Sequence, residues 1–453
     1  MNIVETIFRQ ADPQAIALIH GESEITFAAL DVASQEVVTR LESRLENPTA
    51  HRIGLDCPNG IAHVVLALGI VRSGKCLIPI ASELTKTERE DLIRRTGIEA
   101  ILHANGELEP RTPLLPPGFP EKKFHALQPA FIRFSSGTTG VSKGIVLSHE
   151  SLLERISAAN RGLQIGPSDR VVWILPMAHH FAVSIILYLW RGAATIIVDS
   201  HLAGDILTAA RQHRGTVLYG APFHHALLAA ETSGRDWPGL RLAVSTAAAL
   251  ASSTAEAFLA RYGVPLTQGL GIIEIGLPFL NLTSARNKPA SIGRPQPDFS
   301  ARLVEGQLQV RGPGMLDAYL TPWQTRQEIA PGGWFATGDL ARVDEDGDYY
   351  LEGRSHSVIN VAGMKCFPEE IEAVLGSHPG VRRVRVTGRP HPKVGTVPVA
   401  EIIPHDPAQP PSLAELSALC RRELARYKIP VDYRFVSELP VTASGKIKRN
   451  TDA

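Results

Sequence analysis

The feature that most constrains this chain is a regular exchange of two textures between about residues 60 and 270. Short β-branched runs, DRVVWIL (169–175), ATIIV (194–198), GTVLY (215–219) and LRLAVS (240–245), alternate with stretches of helical character. Those stretches cover residues 148–160, 181–190, 203–213, 221–231 and 251–262. Strands separated by helices run in the same direction, so the alternation predicts α/β layering around a largely parallel sheet. Residues 105–121 carry several prolines and little apolar periodicity, and read as a surface connection.

After about residue 280 the texture changes. Residues 300–311 (SARLVEGQLQVR) read as a hairpin turning at Glu305-Gly306, and residues 340–352 (LARVDEDGDYYLE) as another turning at Asp346-Gly347. From Val358 onward the order is strand, helix (368–375), strand (381–387), strand (396–403), helix (412–426), strand (432–436). The fold class expected is therefore α/β: a large N-terminal domain of parallel-rich sheets with helices plus an antiparallel, barrel-like part, and a small mobile α+β C-terminal domain.

Charge and apolar content exclude several classes of function. The 46 basic and 46 acidic residues cancel, which argues against a dedicated nucleic-acid binder while leaving room for a local basic patch. The longest apolar run, 181–190, falls short of the roughly 18 residues a membrane span needs. Glu5 and Arg9 interrupt the N-terminus where a leader would be apolar. A soluble, cytoplasmic protein is expected. Cys57, Cys76, Cys366 and Cys420 are too scattered for a CxxC pair and read as ordinary thiols. The doublets His179-His180 and His224-His225 point adjacent side chains in different directions, a poor zinc geometry.

The strongest local signal is FIRFSSGTTGVSKG (131–144). A β-like run enters a segment of Ser, Thr and Gly with Lys143 inside it. Small residues let backbone N–H groups approach an anion, hydroxyls add donors, and the lysine adds a point charge. The pattern suits a polyphosphate cradle. It is not a P-loop, because Gly144 follows Lys143 where that motif needs Ser or Thr.

Together with six further segments in order, this loop resembles the adenylate-forming superfamily of acyl- and aryl-CoA synthetases, adenylation domains and luciferases. The other segments are LALGIVRSGKCLIPI (66–80), LPMAHHF (175–181), QGLGIIEIG (268–276), GWFATGDLARVDEDGDYYLEGR (333–354), INVAGMKCFPEEIE (359–372) and LPVTASGKIKR (439–449). The resemblance implies a reaction in two halves. A carboxylic acid attacks the α-phosphate of ATP to give an acyl-adenylate and pyrophosphate, and a phosphopantetheine thiol then takes the acyl group.

It also implies a role for each matching residue. Ser135, Ser136, Gly137, Thr138, Thr139, Gly140 and Lys143 would hold the ATP phosphates, beside Gly269. Glu274 would bind Mg²⁺, a hard cation that prefers carboxylate oxygen. Asp339 would accept from both ribose hydroxyls, with Arg354 in support. Lys446 would bridge the acid and the α-phosphate as a mobile cation. His179, His180, Thr246, Ala247, Ala248 and Leu270 would line the acid pocket, whose small residues leave room for an aryl or medium acyl acid. The large domain would span 1–354 and the small one 358–453, turning on a hinge at 355–357 around His356. Gly363 and Lys365 would lie on the thiolation face.

Two positions depart from the family pattern. Leu270 stands where a Tyr usually stacks on adenine, and Ile273 where a Thr usually contacts the α-phosphate. Loss of such a donor to a charged group costs roughly 1.5–3 kcal/mol, so a slower or weaker ATP user is expected. CoA is the expected acceptor, with an acyl carrier protein as the alternative. A nucleotide- or acyl-binding relative without catalysis is the competing class.

Overall fold

A computed structural model of the chain describes residues 1–134, 143–232, 236–246, 248–354, 359–361, 364–391 and 395–440, with backbone alone for Arg354, Asn360, Met364, Lys365 and Gly395. The chain divides into two units. One comprises Met1–Ser135, Lys143–Ala301 and Val310–Phe335; the other contains Arg302–Gln309 and Ala336–Ala453.

The first unit holds two eight-stranded sheets. The strands of the first, in spatial order, are Gly276–Leu280, Leu266–Ile272, Leu242–Ser245, Val217–Gly220, Arg170–Trp173, Ala194–Ile197, Ile16–His20 and Ser23–Thr26. The inner six are parallel and the two edge strands antiparallel. The four β-branched runs of the sequence are thus neighbours, and the helices 203–212, 222–230 and 252–262 connect or follow them. Their shared core includes Val172, Ile196, Leu218 and Ala243 with Ile206, Leu228 and Phe258 from the helices.

The second sheet runs Gln324–Thr325, Ala318–Tyr319, Gly144–Ser148, Pro129–Phe134, Cys76–Pro79, Arg52–Asp56, Ala100–His103 and Leu108–Pro110. Helix Ile61–Arg72 contacts strands of both sheets, and so does His149–Leu163. The first of these is apolar nearly all round, which suits a helix covered on every side.

Two local readings need correction. The run 181–190 is not one α-helix. A short helix Met177–His180 passes into a π-helix, Phe181–Ile185, and only then into α-helix Ile186–Trp190. Such an insertion widens one turn without any composition cue, and often sits beside a site. The stretch 105–121 is not wholly irregular either. Leu108–Pro110 pairs with Ala100–His103 around Asn105-Gly106, with Gly106 at φ +80°, the conformation a tight hairpin turn requires.

In the second unit, Asp339 to Val343 pair with Tyr349 to Arg354 in the hairpin read from the sequence. A five-stranded sheet follows, with Ile359–Val361, Met364–Cys366, Val381–His391, Gly395–Pro404 and Asp432–Phe435. Helices Pro368–Gly376 and Leu413–Glu423 cover its core of Val384, Val386, Ala400, Ile402, Ile371 and Leu416. Ser412 caps the second helix, and its hydroxyl accepts from Glu415 N at 3.2 Å in a capping box. All four cysteines are free and buried. Among the described residues, no helix is long and apolar enough to cross a membrane.

Candidate active site

Strands Pro129–Phe134 and Gly144–Ser148 pair antiparallel, with Phe134 opposite Gly144 and Arg133 opposite Ile145. The two ends of the Ser/Thr/Gly segment are therefore held side by side, each with a cation next to it: Arg133 before and Lys143 after. The segment itself, with Ser135, Ser136, Gly137, Thr138, Thr139 and Gly140, lies outside the described residues.

A third strand completes this corner. Ala318–Tyr319 pairs with Gly144–Ser148, placing Tyr319 opposite Ile145, and Leu320 N donates to Gly144 O at 2.7 Å. The Lys143 ammonium sits 4.4 Å from the centre of the Tyr319 ring. A cation over an aromatic face is worth about 0.5–2 kcal/mol and fixes where the lysine stem leaves the sheet. The Tyr319 hydroxyl donates to Glu274 Oε1 at 3.2 Å. Burial, together with the neighbouring carboxylate, pushes the Tyr319 phenol well above its ordinary range, so it stays a donor.

Glu274 occupies the turn between Leu266–Ile272 and Gly276–Leu280, where the pairing register shifts. Its backbone carbonyl accepts from Leu316 N at 2.7 Å. Arg133 faces the same charge: burial lowers its guanidinium to about 10, with Glu274 pulling the other way. Two cations, one phenol and one carboxylate thus meet at the ends of the Gly-rich segment. Glu274 is half-buried, and among the described residues its Oε2 has no hydrogen-bond partner. A half-exposed carboxylate with one oxygen oriented and the other uncommitted fits a hard divalent cation such as Mg²⁺.

The acid-pocket candidates gather at a switch in strand order. The chain leaves Arg170–Trp173 towards Ala194–Ile197 on one side, and leaves the adjacent Val217–Gly220 towards Leu242–Ser245 on the other. Ligands of open α/β sheets bind in the crevice beyond the carboxyl ends of such strands. His179 and His180 follow the first strand, Thr246 and Ala248 follow Ser245, and Gly269 and Leu270 lie near the end of the next strand. Trp173 and Tyr219, opposite each other in register, stack at 5.9 Å with planes 25° apart. His180 meets Trp173 edge-on at 5.7 Å.

His179 turns the other way, with Nε2 at 2.8 Å from Glu83 Oε1. Burial would raise the Glu83 carboxyl, but the His179 hydrogen bond, its own backbone N–H, the His179 charge and the Ser82 hydroxyl together outweigh it and hold the group below its usual value. Thr246 is buried, whereas Ala248 is exposed; Ala247 lies outside the described residues. The second doublet also splits, as expected. His224 Nε2 lies 3.0 Å from His201 Nδ1, and His225 Nε2 lies 3.2 Å from Val244 O.

Asp339 belongs to the second unit. It is 5% exposed and pairs with Arg354 across the hairpin. Gly338, at φ +76° inside strand Phe335–Val343, holds a backbone conformation that a side chain would resist. Thr337 Oγ1 accepts from Asp339 N at 3.0 Å and donates to Leu308 O at 2.9 Å. Thr-Gly-Asp is thus a local device for aiming one buried carboxylate. His356, Gly363 and Lys446 lie outside the described residues, as do the side chains of Arg354 and Lys365.

Sequence reasoning missed four residues of the first unit: Arg133, Arg155 and Tyr319 near Glu274, and Glu83 beside His179. Arg133 carried a faint signal, a cation in a buried strand beside the loop. The pair Gly312-Pro313-Gly314 also marked a sharp turn ahead of Tyr319. Nothing local marked Arg155 or Glu83, whose partners are remote in the chain.

The chain matches the family model described as AMP-binding enzyme over residues 7–320, and that of the AMP-binding enzyme C-terminal domain over 370–446. It is 33% identical to the sulfoacetate–CoA ligase of Cupriavidus necator over 74% of this chain and 67% of that one. It is 27% identical to a feruloyl-CoA synthase of an Amycolatopsis species, over 96% and 94% of the two chains. The crystal structure of an anthranilate CoA ligase in complex with anthranoyl-AMP superposes with a TM-score of 0.83 at 26% identity, over 99% of this chain and 96% of that one. With both family domains matched in order, the chain belongs to the AMP-binding enzymes, the adenylate-forming superfamily whose acid–CoA ligases are its relatives.

Proposed function

We propose that this enzyme activates a small carboxylic acid with ATP and passes the acyl group to the thiol of CoA. The observation that carries this reading is the convergence of Arg133, Lys143, Tyr319 and Glu274 on the two ends of the Ser/Thr/Gly segment. Attack of a carboxylate on the α-phosphate brings anions together, so the site must offer positive charge and N–H donors where charge builds up. Residues 135–140 with Lys143 would cradle the β- and γ-phosphates. Glu274 would hold Mg²⁺, which supplies charge neutralisation at the phosphate oxygens when bound. Asp339 would take the ribose hydroxyls, with Arg354 beside it. Lys446 would neutralise the acid and the α-phosphate together.

The acid would lie at the strand switch, among His179, His180, Thr246, Ala247, Ala248 and Leu270. Its aromatic wall of Trp173 and Tyr219 favours an aryl or medium acyl substrate. Residues 1–354 and 358–453 would act as large and small domains about a hinge at His356, the small one presenting Lys446 for adenylation and Gly363 with Lys365 for thiolation. Relatives named as a sulfoacetate–CoA ligase, a feruloyl-CoA synthase and an anthranilate CoA ligase support CoA over a carrier protein.

The test is ATP–pyrophosphate exchange over a panel of carboxylic acids, followed by thioester formation with CoA and holo-carrier protein in parallel. Exchange that depends on one acid and is lost in Lys446→Ala is expected, with thioester on CoA. ATP binding with no exchange for any acid would leave a binding protein instead.

A further inference from the structure

Arg155 is the least expected charge in the first unit. It sits in the middle of helix His149–Leu163 with no exposure at all. Among the described residues, no carboxylate lies within ion-pair distance of it. Its Nε and Nη2 donate to Gly314 O at 3.0 and 2.6 Å, and its Nη1 donates to Ile273 O at 2.9 Å. Its neighbour Glu154 completes the grip, with Oε2 accepting from Gly314 N at 2.9 Å.

The approach is too close for any side chain at position 314. A Cβ there would come within 2.4 Å of Arg155 N and Cβ, and Gly314 has φ +66°. One guanidinium therefore joins two segments distant in the chain. The first is the peptide immediately before Glu274. The second begins at Gly314 and carries Leu316, whose N–H holds the Glu274 carbonyl, and Tyr319, whose hydroxyl holds the Glu274 carboxylate. A buried cation must be compensated: Asp317 and Glu274 attract Arg155 from beyond hydrogen-bond distance, and its donors go to backbone carbonyls. Here both acceptors belong to segments that meet on Glu274.

We propose that Arg155 is a positioning residue for Glu274: by clamping the carbonyls of Ile273 and Gly314 it sets the distance between that carboxylate and Tyr319. The inference rests on the reading of Glu274 as the metal and phosphate carboxylate. The planar fork of the guanidinium reaches both carbonyls at once; an ammonium cannot span them in the same geometry.

The experiment compares Arg155→Met, Arg155→Lys, Glu274→Gln and Arg241→Met in the full chain. Arg241 is a control for stability, since it pairs in two places with the buried Asp169 and touches neither segment. Three quantities are read: the melting temperature, the Mg²⁺ concentration for half-maximal pyrophosphate exchange, and the calorimetric affinity for ATP with Mg²⁺ and with EDTA. Partners that orient a metal ligand typically change metal affinity about 10- to 100-fold. Arg155→Met should therefore raise the Mg²⁺ requirement about tenfold or more and weaken Mg-ATP binding, with ATP binding in EDTA unchanged. Arg155→Lys should recover part of the loss, and Arg241→Met should lower the melting temperature alone.

A low-melting Arg155→Met that keeps the parent Mg²⁺ requirement would overturn the proposal, leaving Arg155 a packing residue. If it fails to fold, Arg155→Lys decides: an unchanged Mg²⁺ requirement overturns the proposal and a raised one supports it. A Glu274→Gln variant with unchanged Mg²⁺ dependence would instead remove the reading of Glu274 itself.

Discussion

Glu274 in the first unit and Asp339 in the second are carboxylates held in opposite ways. Asp339 is aimed by its own neighbours: Thr337 two residues back, Gly338 at positive φ within the strand, and the partner strand of one hairpin. Glu274 is aimed from afar. Tyr319 lies 45 positions away along the chain, and Arg155, holding the preceding carbonyl, lies 118 positions from Ile273. A locally aimed group survives small shifts elsewhere because its supports move with it. A remotely aimed group depends on the packing of every element between.

The two glycines give the largest expected contrast. Gly314→Ala adds a Cβ against the Arg155 backbone at a positive φ, and should cost about 2–5 kcal/mol of stability from clash and strain combined. Gly338→Ala carries the left-handed penalty, about 1–2 kcal/mol. Urea unfolding of both variants measures the gap; equal losses would mean that Gly314 is no tighter than an ordinary turn.

Next come the carboxylates themselves. Glu274→Gln should slow pyrophosphate exchange about 100-fold, the scale of losing one preorganised electrostatic contact in a transition state. Asp339→Asn should act on ATP binding instead, raising KM for ATP about 10-fold or somewhat more, as two charge-assisted bonds weaken. Steady-state kinetics separating kcat from KM would break the comparison if both variants changed the same constant.

Tyr319→Phe tests the remote support alone. It removes one hydrogen bond to Glu274 and keeps the ring beneath Lys143, so the Mg²⁺ requirement should rise only about two- to tenfold, from a bond worth roughly 0.5–1.5 kcal/mol. A melting temperature unchanged within error would separate this effect from misfolding.

The smallest effect vanishes at neutral pH and emerges in acid. Burial first, with cationic or imidazole neighbours in some cases, lowers His51, His149, His224 and His225 to about 4, and burial lowers His63 as well. All five lie in the first unit. Between about pH 6.5 and 4 the unfolded chain binds protons that the folded chain refuses, so stability falls as pH falls through that window. Calorimetric melting from pH 7.5 to 5 should show an onset near 6.5. A melting temperature flat over that range would contradict it.

The legibility of the molecule follows the same division. The parallel pairing of strands 170–173, 194–197, 217–220 and 242–245, though not their spatial order, was readable because β-branched runs and helices alternate. The Thr-Gly-Asp hairpin was readable because turn chemistry is local. The π-helix at Phe181–Ile185 was not, since an extra residue in one turn leaves the composition unchanged. Leu108–Pro110 was masked by the prolines around it, although Asn105-Gly106 announced its turn.

By itself, then, the order of residues determined the layering, the hairpins and the family motifs, because each depends on contacts within a few positions or on a period. Only the tertiary structure decided that Arg133, Arg155 and Tyr319 converge around Glu274 and that His179 answers to Glu83 rather than to His180. Those pairings join segments many residues apart. Their energies depend on burial and on distances of a few ångströms, quantities that no local pattern encodes.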